Sequence, residues 1–412
     1  MVVLSRTLEA TIRRAAKTFP AVIVTGPRQS GKTTLLRHML TRSHRFMSLE
    51  NPDVRRRALS DPVGFLRDNP PPLILDEIQY APELLNYIKT RIDERRTPGQ
   101  WFITGSQGFS VMRNISQSLA GRAAVLSLLP FSFREAAGKP ESGKSIGDLI
   151  AGLFENGPNG ARDAAGRMPD LADWLFRGAF PELQVNPRVD RYLWYSSYVQ
   201  TYLERDVRSL TQVGDLDAFE RFLRLCAART AQILNLSDLA RDTGITMPTA
   251  KRWLSVLQAS YQVFLLHPYY ANYGKRLIKA PKLYLTDTGL AAYLTGLRDK
   301  AAILNGPMAG PLMETSVVSA WRKAFLHRGE MPTMHYWRSR DGLEVDLLIE
   351  YDGRLYPVEI KSSSTLVPAH AASLLKWMSL KGKPSVNGIV IGDIASPMSL
   401  APGVRAIPWP WI

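Results

Sequence analysis

The eight residues Gly26-Pro27-Arg28-Gln29-Ser30-Gly31-Lys32-Thr33 constrain the fold more than any other stretch. They follow the β-branched run Ala21-Val22-Ile23-Val24-Thr25 and precede a helical pattern, which gives the order strand, glycine loop, helix. Gly26 and Gly31 let the backbone turn so that successive N–H groups face an anion, and the helix that follows points its positive end at the same place. In such a loop Lys32 contacts the β- and γ-phosphates of a nucleotide and Thr33 offers its hydroxyl to Mg²⁺. Thr34 is either a further contact or an ordinary helix residue.

A second apolar run, Leu73-Ile74-Leu75, ends in Asp76 and Glu77. A strand that finishes in two carboxylates brings them to the sheet edge where nucleotide sits; Asp76 would hold Mg²⁺ through water and Glu77 would orient the attacking water. A third run, Trp101-Phe102-Ile103-Thr104-Gly105, is followed by Ser106 and Gln107, of which Ser106 is preferred to reach the γ-phosphate or the water. Further strands are expected at residues 45–49 and 123–128, with a helix over 83–95. Strand and helix alternate, so the spacing predicts an α/β fold with a parallel sheet.

This core is expected over residues 1–140. From 141 to 231 a loop-rich insertion leads into a helical lid region; residues 139–167 shift to Gly, Pro, Asn, Asp and Ala without a strong period. Trp174, Phe176, Tyr192, Tyr195, Tyr198 and Tyr202 read as packing residues rather than ligand contacts. Over 232–300, Leu236 to Gly244 and Ile245 to Leu254 have the helix, glycine turn and second helix of a helix-turn-helix, with strand-like runs at 263–266 and 282–285 as a wing. Lys251 and Arg252 could meet DNA phosphates, with Thr246 and Thr249 near the helix start. The same module could instead pack as a lid or bind a protein.

The rest, 301–412, reads as a separate α/β domain: a helix from Leu312, then strands at 333–337, 344–350, 355–360, 387–391 and 404–408. Asp346, Glu359 and Lys361 lie on successive strand patterns and can converge. Two carboxylates with an adjacent lysine have the chemistry of Mg²⁺-assisted phosphodiester cleavage, or they are a surface ion pair.

Composition narrows the class. The chain has 412 residues, 45% hydrophobic and 22% charged, with no stretch near the ~18 apolar residues of a membrane span. Its first residues meet Arg6 at once and lack an apolar export core, so a cytoplasmic protein without a membrane partner is expected. Cys226 is the only cysteine, which excludes an internal disulfide and a thiolate zinc cluster. The net charge of +15 favours a polyanionic partner, DNA first.

Taken with Leu119-Ala120-Gly121-Arg122 and Leu129-Pro130-Phe131-Ser132-Phe133-Arg134-Glu135, the glycine loop, the Leu-Asp-Glu-Ile-Gln strand and the Thr-Gly-Ser-Gln strand end resemble the AAA+ ATPases. The chain is similar to a widespread prokaryotic family of predicted ATPases, relatives of archaeal origin-recognition-like ATPases. The resemblance implies ATP hydrolysis at subunit interfaces in a homo-oligomer, a ring such as a hexamer, with Arg122 as the finger given to the neighbouring γ-phosphate or as a salt-bridge partner. The C-terminal part resembles the restriction-endonuclease-like fold, which implies Glu314 as its first acidic residue. Two functions follow: an ATPase acting on branched or broken DNA, or an ATP-controlled switch whose inactive nuclease-like domain binds a protein.

Overall fold

The computed structural model describes residues 3–106, 119–141, 143–155, 170–203, 207, 215–272, 274, 276, 279–380 and 386–412. The first part of the chain forms a five-stranded sheet of β1 (Ala21–Thr25), β2 (Arg45–Ser48), β3 (Leu73–Asp76), β4 (Trp101–Gly105) and β5 (Ala123–Ser127). All pairings are parallel, in the order β2-β3-β4-β1-β5. β1, β3 and β4 are buried at every position, as a sheet covered on both faces requires. Parallel register gathers the carboxyl ends of these three strands at one edge, where Thr25 lies opposite Gly105.

Gln107, residue 142 and residues 156–167 lie outside the described residues. The remainder of the compositionally shifted stretch departs from the loop expected of it. Ile146–Ile150 is helical and continues into a π-helical turn, Ala151–Glu155. Ser145 and Asp148 form a capping box at its start, and Ile146, Leu149, Ile150, Leu153 and Phe154 are buried at helical spacing. In the helices that follow, Leu171–Arg177 and Arg191–Tyr202, the aromatic residues Trp174, Tyr195, Tyr198 and Tyr202 are buried, whereas Tyr192 is exposed.

Helix Leu236–Thr243 ends on Gly244 at φ +79°, and helix Met247–Ala259 starts from Thr246, whose hydroxyl accepts the Thr249 N–H. Behind this pair, β7 (Val263–Leu266) and β8 (Lys282–Leu285) run antiparallel, with a short β6 (Gln232–Ile233) added to β8. The C-terminal strands are β9 (Met334–Arg338), β10 (Glu344–Tyr351), β11 (Arg354–Ile360), β12 (Gly388–Gly392), β13 (Met398–Ala401) and β14 (Val404–Pro408). They form one mixed sheet ordered β13-β14-β12-β11-β10-β9. Helix Ala309–Leu326 packs with Leu347, Val358 and Ile360, and helix Ala372–Met378 with Val345, Leu348 and Val390.

Buried apolar contact is continuous from Ile146 to Ile412, so the helical region, the helix-turn-helix and the last sheet share one core. The parallel sheet has its own clusters on its two faces. Among the described residues no helix is long and apolar enough to cross a membrane.

Trp321, in helix Ala309–Leu326, is wholly buried, and its indole N–H has no acceptor. Trp321→Ala should lower the unfolding free energy by about 3–5 kcal/mol. Trp321→Phe removes the unpaired N–H along with some volume and should lose much less. Denaturant titration of both variants checks the order.

Candidate functional site

The glycine loop leaves β1 at Gly26, whose φ is +148°; a Cβ there would lie 2.1 Å from the Leu128 carbonyl oxygen, so only glycine fits. Gln29 at φ +59° and Gly31 at φ +92° complete the turn, and helix Lys32–Leu40 begins at once. The Lys32 ammonium is buried and donates to the carbonyls of Gly26 (3.1 Å) and Pro27 (2.9 Å). Ser30 Oγ is buried without a partner. The loop therefore holds donors turned inward on itself, which is what a phosphate would draw out.

Asp76, at the end of β3, is 4% exposed. Its Oδ1 accepts from Thr33 Oγ1 (2.7 Å) and from Thr104 Oγ1 (2.7 Å), and its Oδ2 from Ser48 Oγ (3.4 Å). Burial pushes its carboxyl above the ordinary value, and the two threonine hydroxyls pull it back. The Glu77 N–H donates to Thr104 Oγ1 at 2.9 Å, while Glu77 itself is held in the left-handed region at φ +57°. Gln79 Nε2 donates to the Glu77 carboxylate and to Ser106 Oγ (2.9 Å). Thr104 and Gln79 thus set the two acids, a role that no local sequence signal announced. Oxygen donors from Thr33 and Asp76, side by side, are the hard ligand set that Mg²⁺ takes.

A cleft of about 440 Å³ opens on this edge, large enough for a nucleotide. Lys32, Thr33, Thr34 and Glu77 line one side; Arg6, Phe131, Pro181, Val185 and Trp194 line the other. Arg6 was unremarked in the sequence, yet its guanidinium donates to Ser30 O (2.9 Å) and Leu129 O (2.6 Å) and lies 3.3 Å from Glu135. Burial opposes the charge of Glu135, but Arg6 and His327 hold its carboxyl well below the usual range. Arg122 does not line the cleft. It precedes β5 at the opposite end of the parallel strands and makes a two-point ion pair with Asp93 (2.6 and 3.0 Å).

The C-terminal candidates do meet. Lys361 Nζ lies 2.7 Å from Glu359 Oε1, and Asp346 Oδ2 accepts the Ile360 N–H at 2.8 Å. Glu314 accepts from Lys282 Nζ (2.8 Å) and from the Tyr284 hydroxyl (2.6 Å). Burial pushes Glu314, Asp346 and Glu359 above the ordinary carboxylate range, and the charges of Asp346 and Glu314 add to the rise at Glu359. Among the described residues no three Asp, Glu, His or Cys are arranged to hold a metal ion. On the helix-turn-helix, Thr246, Lys251 and Arg252 are exposed and Thr249 is half-buried.

A parallel sheet with this loop and these strand-end acids defines a P-loop ATPase core of the AAA type. Residues 18–137 match the family described as AAA domain; residues 168–301 and 309–412 match two described as Domain of unknown function, DUF8612 and DUF4143. The chain belongs to the same family as the "Uncharacterized protein Rv2008c" of Mycobacterium tuberculosis and "Uncharacterized protein Mb2031c" of Mycobacterium bovis. It is 31% identical to each over 366 residues, which is 89% of this chain and 75% of the relative. Among solved structures, a Thermotoga maritima RuvB variant aligns at 15% identity over 63% of this chain and 85% of its own, with a TM-score of 0.27. A STAND protein with a tetratricopeptide repeat sensor from Pyrococcus horikoshii aligns at 12% identity over 79% of this chain and 47% of its own, also at 0.27. Overlaps this low carry no weight for the fold.

Thr104→Val keeps the shape of the side chain and removes both of its bonds. A hydrogen bond to a charged group contributes about 1.5–3 kcal/mol, so ATP turnover should fall by roughly ten- to hundred-fold with the circular dichroism unchanged. Phosphate release at saturating ATP measures it.

Proposed function

We propose that the chain is a Mg²⁺-dependent ATPase that works as a homo-oligomer and acts on DNA through a winged helix and a nuclease-like C-terminal domain. The observation that carries the ATPase reading is the Thr33–Asp76 pair beside a cleft lined by Lys32 and Glu77. In this reading the loop from Gly26 to Gly31 presents N–H groups to the phosphates, and Lys32 exchanges two carbonyls of its own loop for phosphate oxygens. Thr33 and, through water, Asp76 hold Mg²⁺, which when bound neutralises charge on the phosphates. Glu77, steadied by Gln79, orients the attacking water, and Ser106 acts through the same Gln79. An oligomer in which Arg122 serves the neighbouring site requires that guanidinium to leave Asp93.

The DNA reading is supported by the exposed Lys251 and Arg252, one turn from the threonine start of their helix. Basic side chains there position a phosphate backbone without reading sequence. The second reading, an ATP-controlled switch whose C-terminal domain binds a protein, is favoured by one observation: Lys282 already neutralises the acidic cluster that a nuclease would use.

Lys32→Ala should abolish ATP binding, and Glu77→Gln should keep binding while turnover stops; normal hydrolysis by the Glu77 variant would falsify its role. Turnover of the wild-type chain should rise with linear, single-stranded or four-way-junction DNA. Lys251→Ala with Arg252→Ala should weaken DNA binding and flatten its salt dependence. Turnover indifferent to every DNA, together with an absence of binding, would favour the switch.

A further inference from the structure

Lys282 reaches the C-terminal cluster from outside it. It sits on β8, which pairs with β7 behind the helix-turn-helix, while the carboxylates come from helix Ala309–Leu326, β10 and β11. Its ammonium is 4% exposed and lies 2.8 Å from Glu314 Oε1 and 2.5 Å from Glu344 Oε1. Burial works against that charge, but Glu314, Asp346 and Glu344 together hold the lysine protonated. One cation therefore bridges carboxylates from two elements, as a divalent ion does between the ligands it joins.

Within hydrogen-bond reach of that ammonium the carboxylates are committed. Glu314 Oε1 also takes the Tyr284 hydroxyl, Asp346 Oδ2 takes a backbone N–H, and Glu359 Oε1 takes Lys361. Glu359 Oε2 is the exception: it is buried and has no partner, on a residue only 5% exposed whose charge is felt by Asp346 and Glu314. An unpartnered carboxylate oxygen among acids marks where a further positive charge belongs.

We infer that Lys282 is the resident cation of this cluster and excludes a divalent metal, so that the C-terminal site takes Mg²⁺ or Mn²⁺ only when β8 withdraws Lys282. An ammonium carries only donors and cannot share a carboxylate with a metal ion at bonding distance. The element that must move adjoins the helices proposed to meet DNA. This inference rests on the reading of Glu314, Asp346 and Glu359 as a divalent-ion site, and its test reads metal binding rather than cleavage.

The experiment is Mn²⁺ titration of the full chain, free of nucleotide, followed by electron paramagnetic resonance. Wild type and Glu359→Gln should bind Mn²⁺ alike and weakly. Lys282→Met keeps the aliphatic stem and removes the charge; it should gain a site at least tenfold tighter, lost again when Glu359→Gln is added. Thermal melting gives a second readout, since Mn²⁺ should raise the midpoint of Lys282→Met but not of wild type. Should Lys282→Met not fold, Lys282→Gln carries the same comparison. Tight, Glu359-dependent Mn²⁺ binding by wild type would overturn the role of Lys282 and leave the metal site standing. No gain in either Lys282 variant would overturn the metal site itself.

Discussion

Glu135 is wholly buried and still charged because Arg6 and His327 meet its carboxylate within 3.3 Å each. The surrounding bonds fix the protons. His327 Nε2 accepts the Leu129 N–H at 3.2 Å, so its proton sits on Nδ1, facing Glu135, and the ring is neutral. Burial lowers the histidine pKa in the same sense. Removing one partner from such a group leaves an unpaired buried charge, which typically costs about 3–5 kcal/mol. The group is also where the chain closes on itself: Arg6 grips the phosphate loop at Ser30, and His327 follows helix Ala309–Leu326 of the C-terminal part.

That geometry ties the nucleotide cleft to the rest of the molecule at several points. Lys323, one turn before His327, donates to the Phe131 carbonyl at 2.8 Å, and Phe131 lines the cleft. Thr25, the last residue of β1, shares a 2.8 Å hydrogen bond with Tyr261 at the end of the helix-turn-helix. Pro181 and Trp194 complete the cleft from the helical region, whose core is continuous with the C-terminal sheet. A nucleotide in this cleft touches both bodies, and whatever differential contact it makes is available to move one against the other.

What the sequence made legible was local. The glycine loop, the acids ending β3, the helix-turn-helix and five of the C-terminal strands each announce themselves within about ten residues, through periodicity and turn chemistry. The helix at Ile146 was legible too, since Ile146, Leu149, Ile150, Leu153 and Phe154 keep helical spacing, but surrounding glycine and asparagine masked it. The residues missed are those whose partners are remote. Arg6 meets Leu129 and Glu135, Thr104 meets Asp76, and Lys282 meets Glu314 only after the sheets have formed. Nothing in the neighbours of an isolated arginine, threonine or lysine encodes a bond that closes over tens of residues. Arg122 illustrates the converse, because its motif suggested a distant role while a side chain on the nearby helix Leu84–Glu94 already holds it.

The two acidic sites differ in the kind of donor that satisfies them. Asp76 is held by the hydroxyls of Thr33 and Thr104, neutral groups that rotate. When a divalent cation arrives, Thr33 can turn its lone pairs to the metal and change from donor to ligand without leaving its place. Glu314 and Glu344 are held by an ammonium, which has no lone pair to offer and repels any metal that approaches. The first site is therefore built to exchange its hydrogen bonds for a cation where it stands. The second has to move a strand before it can do so, which makes the position of β8 the quantity that decides whether the C-terminal carboxylates are chemistry or architecture.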